Sequence, residues 1–303
     1  VLAGVLQGDT LAPYLFIIII DDVMCETIAG RDLGFTISRR RGSRCPEVKV
    51  SDADYADDLA LTTDTVEQAQ EFLDSLEDAA AAVGLNLNED KTKFMAPNME
   101  VEMLTSRSGE FIHRVDDFVY LRGHLKSSEH DFLVRKAKAW AACHKLKSVW
   151  STDLRRSLKI QLFRATVESV LLYGSETWTL TSTLEKRLDG CYSRMLRMAL
   201  NIDWRLKANN ATVFQQLPAA SETVRTRRLR LAGHVHRHPE LLANQLLFWD
   251  PDRGTRGRGR PKLTFIDSIK KDTGLESVNE IGRLMDDRVM WRRFINARTM
   301  KPP

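Results

Sequence analysis

Hydrophobic and β-branched residues form two short stretches that flank a pair of aspartates. Residues 48–55 and 59–63 alternate in part between apolar and polar side chains, and Asp57 and Asp58 stand between them. Alternation of this kind, interrupted by turn-forming residues, is typical of a β-hairpin. The pattern therefore predicts two antiparallel strands with Asp57 and Asp58 at the turn.

A helical repeat begins directly after this hairpin. Between Val66 and Val83, apolar residues recur every three or four positions, as on one face of an amphipathic helix. Asp64 or Thr65 is suited to cap the start of this helix, and Gly84 can supply the left-handed residue that ends it. The sequence thus predicts one well-delimited helix after the hairpin.

The pattern is less decisive elsewhere in the first 125 residues. Short extended segments are expected near residues 85–87 and 92–95, and a further hairpin within residues 111–125. Residues 14–20 include four consecutive isoleucines, which favour a strand, but Pro13 precedes them and favours the start of a helix. On the pattern alone, both alternatives for this segment stay open.

Beyond residue 128 the apolar spacing is helical. It predicts three packed helices within residues 133–141, 154–165 and 184–195. The region after residue 204 is richer in arginine and less regular, and residues 253–262 (RGTRGRGRPK) are typical of a linker or arm. Together the patterns predict an α+β fold, with a small antiparallel sheet first and mostly helical regions after it.

The composition suits an intracellular protein without a membrane anchor. Of the 303 residues, 43% are hydrophobic, which is enough for two or three folded units. The longest apolar stretch, residues 11–20, is too short to span a bilayer. The four cysteines form no CxxC pair, which argues against a disulfide framework and a cysteine-rich zinc site. Because the chain starts at Val1 and shows no signal sequence, we also expect it to be a fragment.

Charge is divided unevenly along the chain. Residues 1–100 carry 8 basic and 19 acidic side chains, whereas residues 201–303 carry 20 basic and 11 acidic ones. Metal ions need carboxylates and a nucleic-acid backbone needs positive neighbours. The division therefore suits a cation site beside a track for a polyanion, although solvated helix surfaces can produce a similar division.

The adjacent carboxylates of Asp57 and Asp58 are the first candidate for chemistry. Neighbouring carboxylates on a tight turn repel each other, and a divalent cation is the usual compensation. Hard oxygen ligands suit Mg²⁺, which fills its other positions with water and substrate phosphates. This points to phosphoryl transfer. Taken alone, two aspartates between strands are also ordinary turn formers.

Several segments around this pair resemble, in order and spacing, the palm of reverse transcriptases. GVLQGDTLAP (residues 4–13) precedes YADD (residues 55–58), and GLNLN (residues 84–88), Lys91 and the Tyr120-Leu121 pair follow. Later segments look like the thumb and tail of the enzymes of non-LTR retrotransposons, namely GSETW (residues 174–178), LDG (188–190), RLAGHV (230–235) and GRPK (259–262). The resemblance covers nearly the whole chain and implies an RNA-directed DNA polymerase.

The resemblance also implies roles for single residues. Asp57 would ligate two catalytic Mg²⁺ ions with Asp58 as its companion, and Lys91 would stabilise charge on the triphosphate. Template and nucleotide contacts would come from Gln7, Gly8, Tyr55 and Ala56, and the primer grip from Tyr120 and Leu121. The implied partners are an RNA template, a DNA primer and deoxynucleoside triphosphates. Taken one at a time, these residues could equally form a loop, a solvated surface and the core of a strand.

The resemblance implies an incomplete palm over residues 1–125, a helical thumb over residues 126–203 and a basic, mostly helical region over residues 204–303. It resolves residues 14–20 as a helix. In the family, a segment upstream of the glutamine-glycine motif supplies the first catalytic aspartate and the fingers. That segment belongs to a longer polyprotein. We therefore expect this chain alone not to polymerise DNA, and a nuclear location by family. The alternatives are a non-catalytic nucleic-acid-binding remnant and, ranked last, a group II intron maturase-like protein.

Two further groups are weaker candidates. His234, His236 and His238 alternate with other residues, so a strand would direct all three imidazoles to one side and could bind zinc. A packing role explains the same segment. The predicted helix that contains Arg135 could place several cations on a nucleic-acid backbone, or present them to solvent.

Overall fold

The computed structural model describes residues 8–38, 47–96, 101–215, 217–249 and 263–299. The predicted template contact Gln7 and the Gly/Arg/Pro segment 253–262 lie outside the described residues. The chain divides into two compact units, residues 1–122 and 123–303. Helices and two-stranded antiparallel sheets occur together in it, so the predicted α+β class is confirmed.

The first unit contains two long helices and seven short strands among its described residues. These elements are α1 (Ala12–Ile28), β1 (Phe35–Ser38), β2 (Val48–Val50), β3 (Asp52–Tyr55), β4 (Asp58–Leu61), α2 (Val66–Ala82), β5 (Met103–Thr105), β6 (Phe111–His113) and β7 (Val119–Tyr120). The strands β1 and β2, β3 and β4, and β5 and β6 pair as separate antiparallel ribbons. Isolated two-stranded ribbons are marginally stable in water, so the helices must support them.

Helix α1 settles the ambiguity of residues 14–20 in favour of a helix. Pro13 occupies its first turn, where a proline costs no hydrogen bond and already has a helical φ. The second half of α1 buries Val23 and Met24 against Phe72 and Leu76 of α2. Tertiary packing of this half, together with the proline, outweighs the strand preference of the isoleucines.

The stretch 48–55 is two strands rather than one. Its first part, β2, pairs with β1 through the register Phe35↔Val50, whereas β3 pairs with β4. At Gly34, φ is +120°, and a Cβ would stand 2.9 Å from the carbonyl oxygen of Val50. A glycine is therefore needed for the chain to enter β1 this close to its partner strand.

Helix α2 matches the predicted helix closely. The Thr65 side chain accepts a hydrogen bond from the Gln68 backbone N–H, and Gly84 follows the helix with a φ of +77°. The expected extended segments after it are not strands. Within 85–87 and 92–95 the described backbone forms only an isolated bridge between Phe94 and Arg114, because the asparagine-rich loop bonds locally through Asn88.

The second unit is helical apart from one short strand among its described residues. Its elements are β8 (Gly123–His124), α3 (Ser128–Lys145), α4 (Lys147–Trp150), α5 (Arg156–Phe163), a π-helical turn (Arg164–Glu168), α6 (Ser169–Leu171), α7 (Ser182–Ala199), α8 (Asn210–Phe214), α9 (Ala220–His236), α10 (Leu242–Leu247), α11 (Phe265–Thr273), α12 (Val278–Asp286) and α13 (Arg288–Thr299), with 3-10 turns at Ser175–Thr177 and Trp204–Leu206. The three predicted helices correspond to α3, α5 and α7. The region after residue 204 is more regular than expected.

Two hydrophobic clusters organise this unit. The first, here the α3–α7 core, joins α3, α5 and α7 and includes Phe132, Phe163 and Leu188. The second, here the tail core, joins α9 to α13 around residues such as Ile269 and Trp291. Each cluster buries several large apolar side chains, which is the main favourable contribution to folding.

The GSETW and LDG segments serve this packing. Trp178 is buried, and its indole N–H donates to the Asp131 carboxylate at 2.8 Å. Gly174 adopts the left-handed conformation that starts the following 3-10 turn. The Asp189 carboxylate accepts from both the backbone N–H and the hydroxyl of Ser221, at the start of α9. These residues thus satisfy buried polar groups and a helix terminus.

The RLAGHV segment also has a structural explanation. A Cβ on Gly233 would stand 2.2 Å from Nε1 of Trp291, so only glycine lets α13 approach α9 this closely. The indole N–H of Trp291 donates to the carbonyl oxygen of Leu229 at 2.9 Å. Glycine at position 233 therefore determines how the two helices pack.

Arg228 is a fully buried cation that joins the two clusters. It is 1% exposed; its guanidinium pairs with Asp272 of α11 and donates to the carbonyl oxygen of Trp178 at 2.5 Å. Asp272 also lies 3.6 Å from Arg225. Because Trp178 belongs to the α3–α7 core, the Arg228 side chain connects the tail core to it.

Substitution of Gly233 by alanine should destabilise the tail core by about 1 to 3 kcal/mol, since the added methyl group forces Trp291 to move. The matched control is Gly190→Ala in α7, where a Cβ meets nothing within 4 Å. That change should be neutral or stabilise by up to about 1 kcal/mol. Urea unfolding followed by tryptophan fluorescence measures both; equal effects would contradict the packing role of Gly233.

Replacement of Arg228 by methionine should lower the free energy of unfolding by about 3 to 5 kcal/mol, because Asp272 would stay buried without its partner. Arg230→Met, an exposed position on the same helix, should change it by no more than about 0.5 kcal/mol. The double variant Arg228→Met/Asp272→Leu should recover much of the loss. Calorimetry would contradict this view if Arg228→Met and Arg230→Met had the same transition temperature.

Candidate active site

The aspartate hairpin, residues 52–61, consists of β3, a two-residue turn and β4. Tyr55 pairs with Asp58, so Ala56 and Asp57 form the turn and Asp58 is the first residue of β4. The prediction that both aspartates lie at the turn is thus wrong by one position for Asp58. Ala56 has a φ of +57°, as a two-residue hairpin turn requires at its first position. Backbone strain of this kind is concentrated at functional sites.

Both carboxylates of the pair are accessible. Asp57 and Asp58 are exposed, and so is Tyr55, whose relative exposure is 65%. Two adjacent carboxylates in contact with solvent fit the donor set that Mg²⁺ prefers, and they leave coordination positions for water and phosphate oxygens. The local geometry can therefore hold a divalent cation.

A third acidic residue of the hairpin, Asp54, is a possible further carboxylate that the spacing of the sequence does not single out. Partial burial raises the pKa of Asp54 to about 7, and the charge of Asp52 and a hydrogen bond that the Asp54 carboxyl donates to Asp52 add to the effect. The charge of Asp21 contributes in the same direction. The signal was present in the sequence, since residues two apart on a strand share one face. The acidic character of the hairpin thus extends beyond the YADD segment.

Tyr120 lies directly against the hairpin. Its hydroxyl donates to the carbonyl oxygen of Ala53 at 2.6 Å, and the carbonyl oxygen of Asp58 is 3.4 Å away. Burial and the charges of Asp54 and Asp58 raise the pKa of Tyr120, so the phenol stays protonated and able to donate. The structure therefore brings this predicted primer-grip residue to the aspartate pair.

Leu121, the other predicted primer-grip residue, belongs to a strained turn. Leu121 and Arg122 have φ values of +46° and +67°, a conformation that leucine rarely adopts. The Leu121 side chain is 39% exposed. It is thus presented at the surface rather than buried in a strand.

Among the described residues, no hydrogen bond or ion pair joins the remaining predicted contacts, Gly8 and Lys91, to the hairpin. Gly8 has a φ of +95° with open space where a Cβ would be, which suits a close approach of another chain to the backbone. Lys91 is exposed; its backbone N–H bonds to Asn88, and its ammonium group forms no ion pair within the described part of the chain. Their roles stay predictions.

The two weaker candidate sites change with the structure. His234 and His236 lie in helix α9, so the argument from a strand is wrong. Residues two apart point to opposite sides of a helix. His236 instead contacts Asp286 at 2.9 Å, and His238 contacts Glu240 at 2.7 Å. In α3, Arg135 is buried beside Asp131 and is not available to a nucleic-acid backbone.

None of the helices in the described ranges combines the length and the apolar character that a bilayer-spanning segment requires.

Comparison with known proteins finds similarity to reverse transcriptases and to proteins of transposable elements. Residues 1–133 match the family of reverse transcriptases (RNA-dependent DNA polymerases). The chain is 26% identical over 266 residues to a transposon-derived protein of Caenorhabditis elegans, a match that covers 81% of this chain and 95% of that protein. It is 25% identical over 211 residues to the retrovirus-related Pol polyprotein from the type-1 retrotransposable element R2 of Popillia japonica. This second match covers 66% of the chain but 28% of the polyprotein.

No solved structure gave a significant match. The resemblance drawn from the sequence is confirmed, because residues 1–133 match the model of the reverse transcriptase family. The names of the two relatives, a transposon-derived protein and a retrotransposon Pol polyprotein, support the resemblance to the enzymes of non-LTR retrotransposons.

The raised pKa of Asp54 leads to a prediction about protonation. The folded-state value of about 7 lies above the ordinary value of 3.8. The protonated carboxyl therefore stabilises the fold fully below about pH 4, and this contribution is lost as the pH rises towards 7. In ¹³C spectra of aspartate-labelled protein, one carboxyl resonance absent from Asp54→Asn should titrate near pH 7. An Asp54 resonance that titrates below pH 5 would contradict the partly buried, like-charged environment.

Proposed function

We propose that this protein is the RNA-directed DNA polymerase of a non-LTR retrotransposon, with its polymerase chemistry at the aspartate hairpin. The observation that carries the proposal is the pair of exposed carboxylates, Asp57 and Asp58, on a tight turn within the matched reverse-transcriptase region. In this proposal residues 1–125 form the palm, residues 126–203 the thumb and residues 204–303 a basic nucleic-acid-binding region. A nuclear location would follow from this activity.

Magnesium is the metal that fits the hairpin best. Bound there, Mg²⁺ would activate the primer 3′-hydroxyl and stabilise the departing pyrophosphate. Asp57 would be the main protein ligand and Asp58 would add negative charge in the same site. The acidic neighbours Asp52 and Asp54 strengthen the local preference for a cation, because like charges within one hairpin repel each other until a cation binds.

Other residues would position the substrates. Gln7 and Gly8 would contact the template and the incoming deoxynucleoside triphosphate, beside Tyr55 and Ala56 of the hairpin. Lys91 would neutralise charge on the triphosphate. Leu121 would contact the primer end from its exposed turn, with Tyr120 behind it.

The hairpin by itself does not complete a two-metal site. No group of three or more convergent metal-ligating side chains in the described ranges includes Asp57 or Asp58. We propose that a further carboxylate from the longer polyprotein supplies the missing ligand, and that the chain alone binds a metal ion but does not extend a primer.

A second candidate function is nucleic-acid binding without catalysis. It is favoured by helix α13, where Arg288, Arg292 and Arg293 are exposed and no acidic residue occurs in the first turn. Guanidinium groups bind phosphates well. Binding of an RNA–DNA duplex that weakens steeply with salt, together with the absence of metal binding at the hairpin, would favour this alternative.

Manganese binding tests the proposed metal site. Mn²⁺ titration followed by electron paramagnetic resonance should show a bound ion, and Asp57→Asn/Asp58→Asn should weaken its binding at least tenfold, because the hard oxygen ligands are lost. Asp90→Asn, an exposed aspartate of the same unit, serves as the matched control and should change it less than twofold. Equal binding by all three proteins would refute the metal site.

Primer extension on an RNA template with Mg²⁺ completes the test. The chain alone should show no extension above the level of Asp57→Ala. Robust extension that Asp57→Ala abolishes would overturn the proposal that another carboxylate is required, while it would support the polymerase itself.

A further inference from the structure

The aspartate hairpin has little support of its own. It is a two-stranded ribbon whose strands, β3 and β4, pair with each other and with no third described strand. Such a ribbon is marginally stable in water. A metal site needs its ligands held within a fraction of an ångström, so contacts from outside the ribbon must fix it.

The Tyr120 phenol is such a contact. It reaches the hairpin from a position 62 residues beyond Asp58 in the sequence, and its hydroxyl lies 2.6 Å from the carbonyl oxygen of Ala53 and 3.4 Å from that of Asp58. These two oxygens belong to different strands, β3 and β4. The second oxygen is on the backbone of one of the two aspartates. One hydroxyl therefore bridges both strands at the end that carries the carboxylates.

The two residues that follow Tyr120 form a strained turn. Leu121 and Arg122 both have positive φ values, so the chain reverses immediately after Tyr120. This conformation is costly for side chains with a Cβ and is retained only where the surrounding structure holds it. The turn that exposes Leu121 and the ring that supports the hairpin are thus adjacent residues of one strained segment.

We propose that Tyr120 is a positioning residue for the aspartate hairpin, which it holds through its hydroxyl in the geometry that binds a divalent cation. This inference rests on the proposed function for its catalytic meaning. It assigns Tyr120 a role different from direct contact with the primer. Because Leu121 is the next residue, a nucleic acid that presses on the turn would also act on the metal ligands, and by linkage a bound metal would affect the turn.

The experiment compares the full chain with Tyr120→Phe, which removes one oxygen atom and keeps the ring. The matched control is Tyr14→Phe, since Tyr14 is 68% exposed on α1 and its hydroxyl forms no hydrogen bond with any other described residue. Hydrogen–deuterium exchange of residues 52–61 measures support of the hairpin without any metal. Exchange in α2 reports whether the unit remains folded.

In Tyr120→Phe the hairpin amides should exchange roughly 3- to 10-fold faster, as expected for the loss of one hydrogen bond, while α2 stays unchanged. The affinity for Mn²⁺ should fall by a similar factor of about 3 to 10. Tyr14→Phe should match the unsubstituted protein in both measurements. Unchanged hairpin exchange in Tyr120→Phe would overturn the inference.

The remaining outcomes separate this inference from the proposed function. Faster exchange with unchanged Mn²⁺ affinity would mean that the hydroxyl supports the fold alone, and the positioning role would be overturned. If Asp57→Asn/Asp58→Asn does not weaken Mn²⁺ binding, the proposed metal site fails. A Tyr120→Phe effect on exchange would then still establish the contact but not its catalytic meaning, and the positioning role would fall with the site.

Discussion

The second unit depends on one buried cation. Arg228 of α9 is almost fully removed from solvent and pairs with the equally buried Asp272. A charge in this position is tolerable only if its partners are already in place. The α3–α7 core contributes a backbone carbonyl and the tail core a carboxylate. Folding of each cluster therefore favours folding of the other, and the two behave as parts of one unit.

The family-like segments divide into two kinds when their contacts are compared. GSETW, LDG and RLAGHV are explained by packing: Trp178 bonds to Asp131, Asp189 caps α9 and Gly233 makes room for Trp291. The YADD segment is different. Its aspartates are exposed, its turn is strained and its neighbour Asp54 is electrostatically perturbed. A segment that the fold does not need for packing is the better candidate for chemistry.

The sequence pattern predicted those elements that are determined by residues close together in the chain. Helix α2 was delimited by Thr65 and Gly84, and the hairpin by alternation around the aspartates. The exact turn was not predictable, because the positive φ at Ala56 leaves no signal in an alanine. The histidine segment was misassigned, since spacing of two fits a strand, whereas packing of Gly233 against Trp291 requires a helix. The buried state of Arg135 and Arg228, and the reach of Tyr120, depend on residues distant in sequence.

The left-handed backbone at Ala56 also limits how this segment can diverge. Glycine or asparagine would adopt this backbone conformation with less strain. Glycine would, however, also increase the conformational entropy of the unfolded chain. A β-branched residue would clash with its own backbone there. Alanine has the smallest side chain that still restricts the backbone. Substitutions at position 56 are therefore confined to very few residue types, even in a copy of the protein that no longer acts on any substrate.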